Sequence, residues 1–372
     1  MAEVSKGVPL RSVVLAGGGT AGHVNPLLAV ADELRRRHPD VAVTVLGTAE
    51  GLEAELVPSR GYPLVTVPRV PLPRRPTLDW FRLPARLRRA VAVARAATRD
   101  AQAVVGFGGY VATPAYLAAR GRVPVVIHEQ NARPGLANRL GARWAAAVAV
   151  TFPGTRLRGA RVTGLPLRPP VAALAAARDA DPIAARRAAA EALGLDPAAT
   201  TLLVTGGSLG ALSLNRALSA AAADLVGAGV QVLHLTGAGK DDAVRGAVDG
   251  RPGYHVLAYL AEMQHALAVA DLVVCRAGAG TVSELAALGI PAVYVPLPVG
   301  NGEQRLNAQP VVAAGGGLLV PDAELDAAWV RDHLVPLLAD PARLAAMAAA
   351  ARTVGGTDGA ARVVDLIEQV AR

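Results

Sequence analysis

Short apolar runs alternate with longer stretches of helical periodicity along most of the chain. Ser12 to Ala16 reads as a strand, Gly17 to Gly22 as a loop and Val24 to Arg37 as a helix. Val41 to Gly47, Ala103 to Phe107, Pro124 to His128 and Ala146 to Thr151 read as further strands. A second series runs through Thr201 to Thr205, Gln231 to Leu235, His255 to Ala258, Asp271 to Cys275 and Ala292 to Val295. Apolar runs separated by helical segments predict parallel strands joined by crossover helices. The Ala-, Arg- and Pro-rich stretch Pro166 to Pro197 predicts a linker and the first helix of a second domain.

The two series echo each other. SVVLAGGGTAGHVNPLLAVA and TLLVTGGSLGALSLNRALSAA both run strand, glycine turn, helix, and VVGFGGYVATPAYLAARGRVPVVI is matched by VVCRAGAGTVSELAALGIPAVYV. The expected fold class is therefore α/β. It has two Rossmann-like, doubly wound parallel-sheet domains facing a cleft at the carboxyl ends of both sheets. The boundaries expected are 1–165 and 166–355, with 356–372 as a C-terminal helix packing back on the N-terminal domain. A length of 372 residues suits two domains.

Composition removes several classes. At 52% hydrophobic the chain buries a sizeable core and is not disordered. One cysteine, Cys275, excludes a disulfide scaffold, and no Cys/His spacing predicts a metal site, so a reduced compartment is expected. A mean hydropathy of +0.34 raises the question of a membrane span. Its best stretches, Ala101 to Ala119 and Leu285 to Gly300, are broken by glycines and prolines. The N-terminus runs into a strand without the regions of a signal peptide.

The net charge of +8 is local. Arg69 to Arg99 holds nine arginines against one acid, Asp79, and the rest of the chain is neutral. Global basicity would point to nucleic acid; one basic patch points to one docking surface, and no nucleic-acid partner is expected. Trp80, Phe81 and Leu83 stand beside Arg82, Arg86 and Arg89 in this patch. Rings at headgroup depth with guanidiniums on lipid phosphate suit an anionic membrane surface; the competing reading is a solvated helix whose rings close the core.

Among the motifs, Gly17, Gly19 and Gly22 match G-x-G-x-x-G. The second strand then ends Val45-Leu46-Gly47-Thr48 with no acid until Glu50, which disfavours a dinucleotide. Gly237 to Lys240 lacks most of a Walker motif and reads as a turn, and Asp179-Ala180-Asp181 reads as a helix cap. Four glycine turns, at 17–22, 106–109, 206–210 and 278–280, each follow a strand and open a helix. Such turns bring backbone N–H groups to phosphate, and four of them suggest a diphosphate-bearing ligand. Ser208 adds a hydroxyl, and Glu284, one turn beyond Gly280, is either a ribose clamp or a solvated acid. His23, after the first turn, is a candidate base, although a lone histidine is more often structural. His128-Glu129-Gln130-Asn131 gathers four polar side chains at a strand end and is expected to face the cleft. Cys275 lies close to the inferred nucleotide and is either reachable or an inert buried residue.

The segments GGGTAGHVNPLLAVADEL, FGGYVATP, HEQNARPGLANR, GGSLGALSLN, CRAGAGTVSELAALGIPAVYVP and GNGEQRLNA together resemble the MurG family. These are bacterial peptidoglycan N-acetylglucosaminyltransferases, within the two-domain B-type (GT-B) glycosyltransferases. The resemblance covers nearly the whole chain. It implies transfer of GlcNAc from UDP-GlcNAc to the C4 hydroxyl of the muramoyl sugar of lipid I, with inversion, giving lipid II and UDP, and with no metal or other cofactor. It implies that Thr20, Ala21, Gly22 and Asn131 meet the donor sugar. Arg168, Ser208, Leu260, Ala279, Gly280, Thr281, Val282, Ser283, Glu284 and Gln304 would hold UDP. His23 is the expected base and Glu129 its rival. The implied location is the cytoplasmic side of the cell membrane, held peripherally, with other cell-wall synthesis proteins as further partners. Two positions depart from the pattern: Ala21 stands where the family often has Gly, and Leu209 where it often has Gln.

Overall fold

The computed structural model describes residues 9–70 and 79–371, with backbone only at 79–82. The chain divides into two compact units. One comprises Met1–Arg168 with Asp358–Arg372, and the other Pro169–Thr357.

The N-terminal unit is built from β1 (Ser12–Ala16), α1 (Ala21–Arg37), β2 (Ala42–Gly47), α2 (Glu53–Ser59), β3 (Leu64–Thr66), α3 (Asp79–Ala97), β4 (Ala103–Gly106), α4 (Gly109–Ala119), β5 (Val125–Glu129), α5 (Leu136–Gly141), β6 (Ala147–Val150) and β7 (Ala160–Val162). Its seven parallel strands are ordered β3-β2-β1-β4-β5-β6-β7. Strand alternation sorts the core. Val13 and Leu15 pack on one face with Leu27, Val30 and Leu34 of α1, while Val14 and Ala16 pack on the other with Ala115 and Tyr116 of α4.

The C-terminal unit contains α6 (Pro169–Ala180), α7 (Pro182–Leu193), β8 (Thr201–Thr205), α8 (Leu212–Ala220), α9 (Ala222–Gly227), β9 (Gln231–Leu235), α10 (Asp241–Val248), β10 (Tyr254–Leu257), α11 (Met263–Val269), β11 (Leu272–Cys275), α12 (Ala279–Leu288), β12 (Ala292–Tyr294), α13 (Glu303–Ala313) and β13 (Gly317–Leu319). It ends with the short helices α14 (Ala327–Trp329) and α15 (Val335–Leu338) and with α16 (Pro341–Arg352). Its parallel sheet is ordered β10-β9-β8-β11-β12-β13. The last helix, α17 (Gly359–Val370), belongs to the N-terminal unit. There Val363, Val364 and Ile367 join the α1 face of the core. Arg37 at the end of α1 pairs with Asp365 at 2.6 Å, and His38 Nε2 stands 2.9 Å from Glu368.

Three short strands have no counterpart in the apolar pattern: β3, β7 and β13, at the sheet edges. Each has three residues, too few for a periodicity to register, and every residue of β7 is exposed. The stretch expected to be a linker and one helix is two helices. Asp181 separates them as the N-cap of α7, its Oδ1 accepting from the N–H of Ile183 and Ala184, with Pro182 at the first helical position. Among the described residues no single helix is long and apolar enough to cross a membrane. One bent pair, 327–338 with 341–352, passes by length and composition but turns through 88°, and Leu337, Leu338, Leu344 and Met347 lie in the C-terminal core.

Candidate active site

Both sheets reverse their winding direction once. In the N-terminal unit the reversal falls between β1 and β4, and in the C-terminal unit between β8 and β11. The crevice outside the carboxyl ends of the strands at such a reversal is where open α/β sheets bind ligands. All four glycine turns lie there, after β1, β4, β8 and β11.

In the N-terminal unit the turns after β1 and β4 abut. Gly108 and Gly109 have φ of +89° and +77°, and a Cβ on Gly109 would stand 2.5 Å from the carbonyl oxygen of Gly18. Only glycine fits that approach. Thr20 is the N-cap of α1, yet its hydroxyl caps no backbone N–H. It lies instead 2.9 Å from Nδ1 of His23, and no side chain caps this helix end. Helix start and imidazole therefore share one turn: Ala21 and Gly22 offer first-turn N–H groups beside His23. Burial holds the His23 pKa below the ordinary imidazole value, opposed by the charge of Glu53 and a hydrogen bond to the Gly18 backbone. The ring is neutral at pH 7, as a proton acceptor must be.

The His128–Asn131 cluster differs from expectation. His128, Glu129 and Gln130 are buried inside the unit, and only Asn131 is half-exposed. The reason is a closed hydrogen-bond network. Glu129 Oε1 accepts from Asn131 N–H at 3.0 Å, and Oε2 accepts from Gly135 N–H and Asn138 Nδ2, both at 2.9 Å. Asn138 Nδ2 also donates to His128 O, and Tyr116 OH donates to Asn138 Oδ1 at 2.7 Å. Burial raises the Glu129 pKa against the pull of these bonds. With both oxygens engaged, this carboxylate shapes the loop from 130 to 135. His128 Nε2 donates to Gly164 O at 3.1 Å, and burial pushes its pKa down to about 4.

In the C-terminal unit, Ala279, Gly280, Thr281, Val282, Ser283 and Glu284 form the first turns of α12, with Gly278 as N-cap and no acid in the first turn. Uncapped first-turn N–H groups are an anion site in waiting. Ser208 sits exposed in the turn after β8, and Leu260 is half-buried in the loop after β10. Gln304 Oε1 accepts from the N–H of Ala277 (3.2 Å) and Leu297 (2.9 Å), tying together the loops after β11 and β12. Arg168, expected among the C-terminal contacts, is the last residue of the N-terminal unit before α6. Cys275 is fully buried and its thiol pKa is raised by burial, which makes it inert rather than reachable.

Sequence reasoning missed the side chains that support these turns. Arg276 donates through Nη1 to Asp322 Oδ1 (2.5 Å) and the carbonyls of Val295 and Pro296, and through Nη2 to Ser213, whose hydroxyl bonds the same Asp322 oxygen. His234 Nε2 meets Asn215 Oδ1 at 3.0 Å and its Nδ1 meets Tyr254 OH at 2.8 Å. Asn215 Nδ2 donates to Thr236 O beside the turn at Gly210. Glu53, beneath the first glycine turn, was also missed. The signal was present in part: a strand ending in glycine followed by a helix with an acid at its start.

Of the expected membrane contacts, the side chains of Trp80, Phe81 and Arg82 lie outside the described residues. Leu83 packs with Leu87 against the core of the N-terminal unit, and Arg86 is half-buried. The apolar pattern of α3 turns Leu83 and Leu87 toward the core, leaving both half-buried. Arg88, Arg89, Arg95 and Arg99 are exposed, as are Ala85, Ala92 and Ala96. Arg88, Arg95, Arg99 and Arg122 line a groove of about 710 Å³ floored by Leu87, Val91 and Leu117. Among the described residues no group of three His, Cys, Asp or Glu side chains is placed to hold a metal ion.

Two doubly wound domains with glycine turns at their switch points form a two-domain α/β architecture with a candidate ligand site in each unit. The chain belongs to glycosyltransferase family 28: residues 13–150 match its N-terminal domain and residues 201–370 its C-terminal domain. It is 57% identical over 95% of its length to a protein of Clavibacter sepedonicus, likewise covered over 95%. That protein is named UDP-N-acetylglucosamine–N-acetylmuramyl-(pentapeptide) pyrophosphoryl-undecaprenol N-acetylglucosamine transferase. A relative in Leifsonia xyli subsp. xyli has the same name and is 57% identical over 96% of this chain and 98% of its own. Among solved structures it is similar to Acinetobacter baumannii MurG, with a TM-score of 0.77 and 30% identity over 96% of this chain and 99% of that one. A UDP-GlcNAc 2-epimerase from Neisseria meningitidis, at 15% identity and a TM-score of 0.68, shares the fold alone.

Proposed function

We propose that this chain transfers GlcNAc from UDP-GlcNAc to the C4 hydroxyl of the muramoyl sugar of lipid I, releasing UDP and forming lipid II with inversion. The observation that carries the reading is full-length identity of 53–57% to relatives that share one transferase name. The same chain holds a neutral histidine at the first glycine turn.

His23 takes the proton of the acceptor hydroxyl. Thr20 Oγ1, 2.9 Å from Nδ1, fixes the ring, and the ring nitrogen without a proton is the acceptor. The attacking oxygen displaces UDP at the anomeric carbon in one step, so configuration inverts. Negative charge developing on the diphosphate is met by the N-terminus of α12 at Ala279 to Thr281 and by the turn carrying Ser208. Glu284 accepts from the ribose hydroxyls. Arg168 contributes charge from the end of the N-terminal unit. Glu129 builds the loop that carries Asn131 toward the donor sugar, and does not act as the base.

The membrane surface is the exposed side of α3. Its exposed arginines meet anionic headgroups, and binding is peripheral, at the cytoplasmic face where UDP-GlcNAc is supplied. Purified protein given UDP-GlcNAc and lipid I tests the function: lipid II and UDP are expected in equal amounts. Conversion of UDP-GlcNAc without consumption of lipid I would sink it.

A further inference from the structure

Glu53 is a fully buried carboxylate. It stands at the start of α2, and the described contacts give it no cationic partner. Its Oε1 accepts from Thr48 N–H at 2.8 Å and from Thr48 Oγ1 at 2.7 Å, while Oε2 accepts from Gly19 N–H at 2.8 Å. Three glycines from two loops and a strand end leave room for it. A Cβ on Gly18 would stand 2.2 Å from Oε1, one on Gly51 2.2 Å from Oε2, and one on Gly47 2.5 Å from Cγ. Such spacing builds a cradle around one carboxylate, and the cradle lies under the turn that carries His23. Burial alone would favour the neutral acid. The hydrogen bonds from Gly19 and Thr48 outweigh it and hold the carboxyl below its ordinary pKa, so the group is charged.

We propose that Glu53 is a positioning residue for His23: it pins the Gly17–Gly22 turn through the Gly19 N–H and holds a fixed negative charge behind the imidazole. It touches no substrate. Its oxygens point into the fold, toward Gly19 and Thr48, and so it is not the ribose-binding acid of a dinucleotide fold, although it follows the second strand where such an acid would be sought. Thr20 faces His23 from the helix start, Gly108 approaches from the α4 turn, and Glu53 supplies the charge that reaches the ring. As His23 accepts the hydroxyl proton it becomes imidazolium, and a buried carboxylate that is already ionised and already oriented favours that state without reorganising. The logic resembles the acid that steadies a catalytic histidine in hydrolytic triads, except that here the contact runs through the turn.

The proposal rests on the transferase reading only for its kinetic arm. Glu53→Gln keeps the shape and removes the charge. In the folded variant, nuclear magnetic resonance titration of His23 is expected to move to lower pH by about half a unit or more. The acid limb of the turnover profile should move with it, kcat should fall about tenfold or more, and the Kd for UDP should stay within about twofold. Glu53→Asp, which retains a carboxylate, should restore part of kcat. An unmoved His23 titration in folded Glu53→Gln overturns the proposal whatever the enzyme's substrate. A moved titration with no turnover of lipid I by the native protein would instead overturn the transferase reading and leave this one standing. Should Glu53→Gln not fold, the native protein decides: the exposed Gly19 must show an amide protected from hydrogen exchange, and exchange at the rate of a free loop overturns the proposal.

Discussion

The two units share strand order and the placement of their glycine turns, but the groups beneath those turns differ in sign. Under the first N-terminal turn lies the buried carboxylate Glu53, and at the end of β5 a second, Glu129, holds the loop from 130 to 135. Under the C-terminal turns lie Arg276, its Asp322 partner and the neutral amides of Asn215, Gln304 and Asn307. A negative lining raises the proton affinity of an imidazole and suits acid–base work. A lining of paired guanidinium and amides, below an uncapped helix start, suits a bound diphosphate. On the proposed reading, the residues behind the loops, rather than those in them, fit one half to proton handling and the other to anion handling.

If the division is real, His23→Ala removes the chemistry and spares nucleotide binding. Turnover should fall about 10² to 10⁴-fold, the range of a general base, while calorimetry gives nearly the native affinity for UDP. Parallel loss of both would mean that the N-terminal turn serves nucleotide binding instead.

A second test uses a buried histidine from each unit. Burial lowers the pKa of His128 and of His234 to about 4, against 6.5 in an unfolded chain. Between those values the unfolded state binds protons that the fold refuses. Stability is therefore full above about pH 6.5 and is lost as the pH falls toward 4, approaching roughly 3 kcal/mol for each histidine. Denaturant titrations across this range should slope downward for the native protein. His234→Gln should flatten the slope for the C-terminal unit only, and an unchanged slope would remove the burial argument for it.

The layers of this fold were legible because β1, β2, β4, β8 and β11 are fully or nearly fully apolar runs set between glycine turns. Edge strands β3, β7 and β13 were not, being too short to carry a period. At the site, residues in the turns were legible because helix starts announce themselves, as with Thr20 to His23 and Gly278 to Glu284. Residues behind the turns were not. Glu53 acts on Gly19 across 34 positions and Arg276 on Asp322 across 46, and nothing local marks either pairing. In the polar run at the end of β5, His128 to Gln130 are turned inward by partners at Asn138, Gly135 and Gly164.

A smaller effect sharpens the anion-handling side. Glu284→Ala should weaken UDP binding by about 1.5–3 kcal/mol, the worth of a carboxylate–hydroxyl hydrogen bond, and should leave the His23 titration where it was. Unaltered UDP affinity would withdraw the ribose role from Glu284 and leave α12 only its backbone contacts.

The smallest expected effect per residue concerns a third region, the exposed side of α3, which belongs to the proton-handling unit but to neither set of turns. Arg88, Arg89 and Arg95 are exposed on it together with Ala92, and they make no ion pair among the described residues. Each guanidinium near an anionic leaflet contributes about 1 kcal/mol, and the sum is screened by salt over a Debye length of about 8 Å at physiological ionic strength. Replacing all three with Gln should weaken binding to phosphatidylglycerol vesicles by about a hundredfold, and high salt should weaken the native protein's binding in the same way. Lipid I presented in those vesicles should be used poorly by the variant. A short-chain, water-soluble acceptor should be used at the native rate, because no residue of the turns has been touched. Equal loss on both acceptors would tie α3 to folding or to the site itself, and vesicle binding that ignores both salt and the substitutions would assign the membrane contact to another surface.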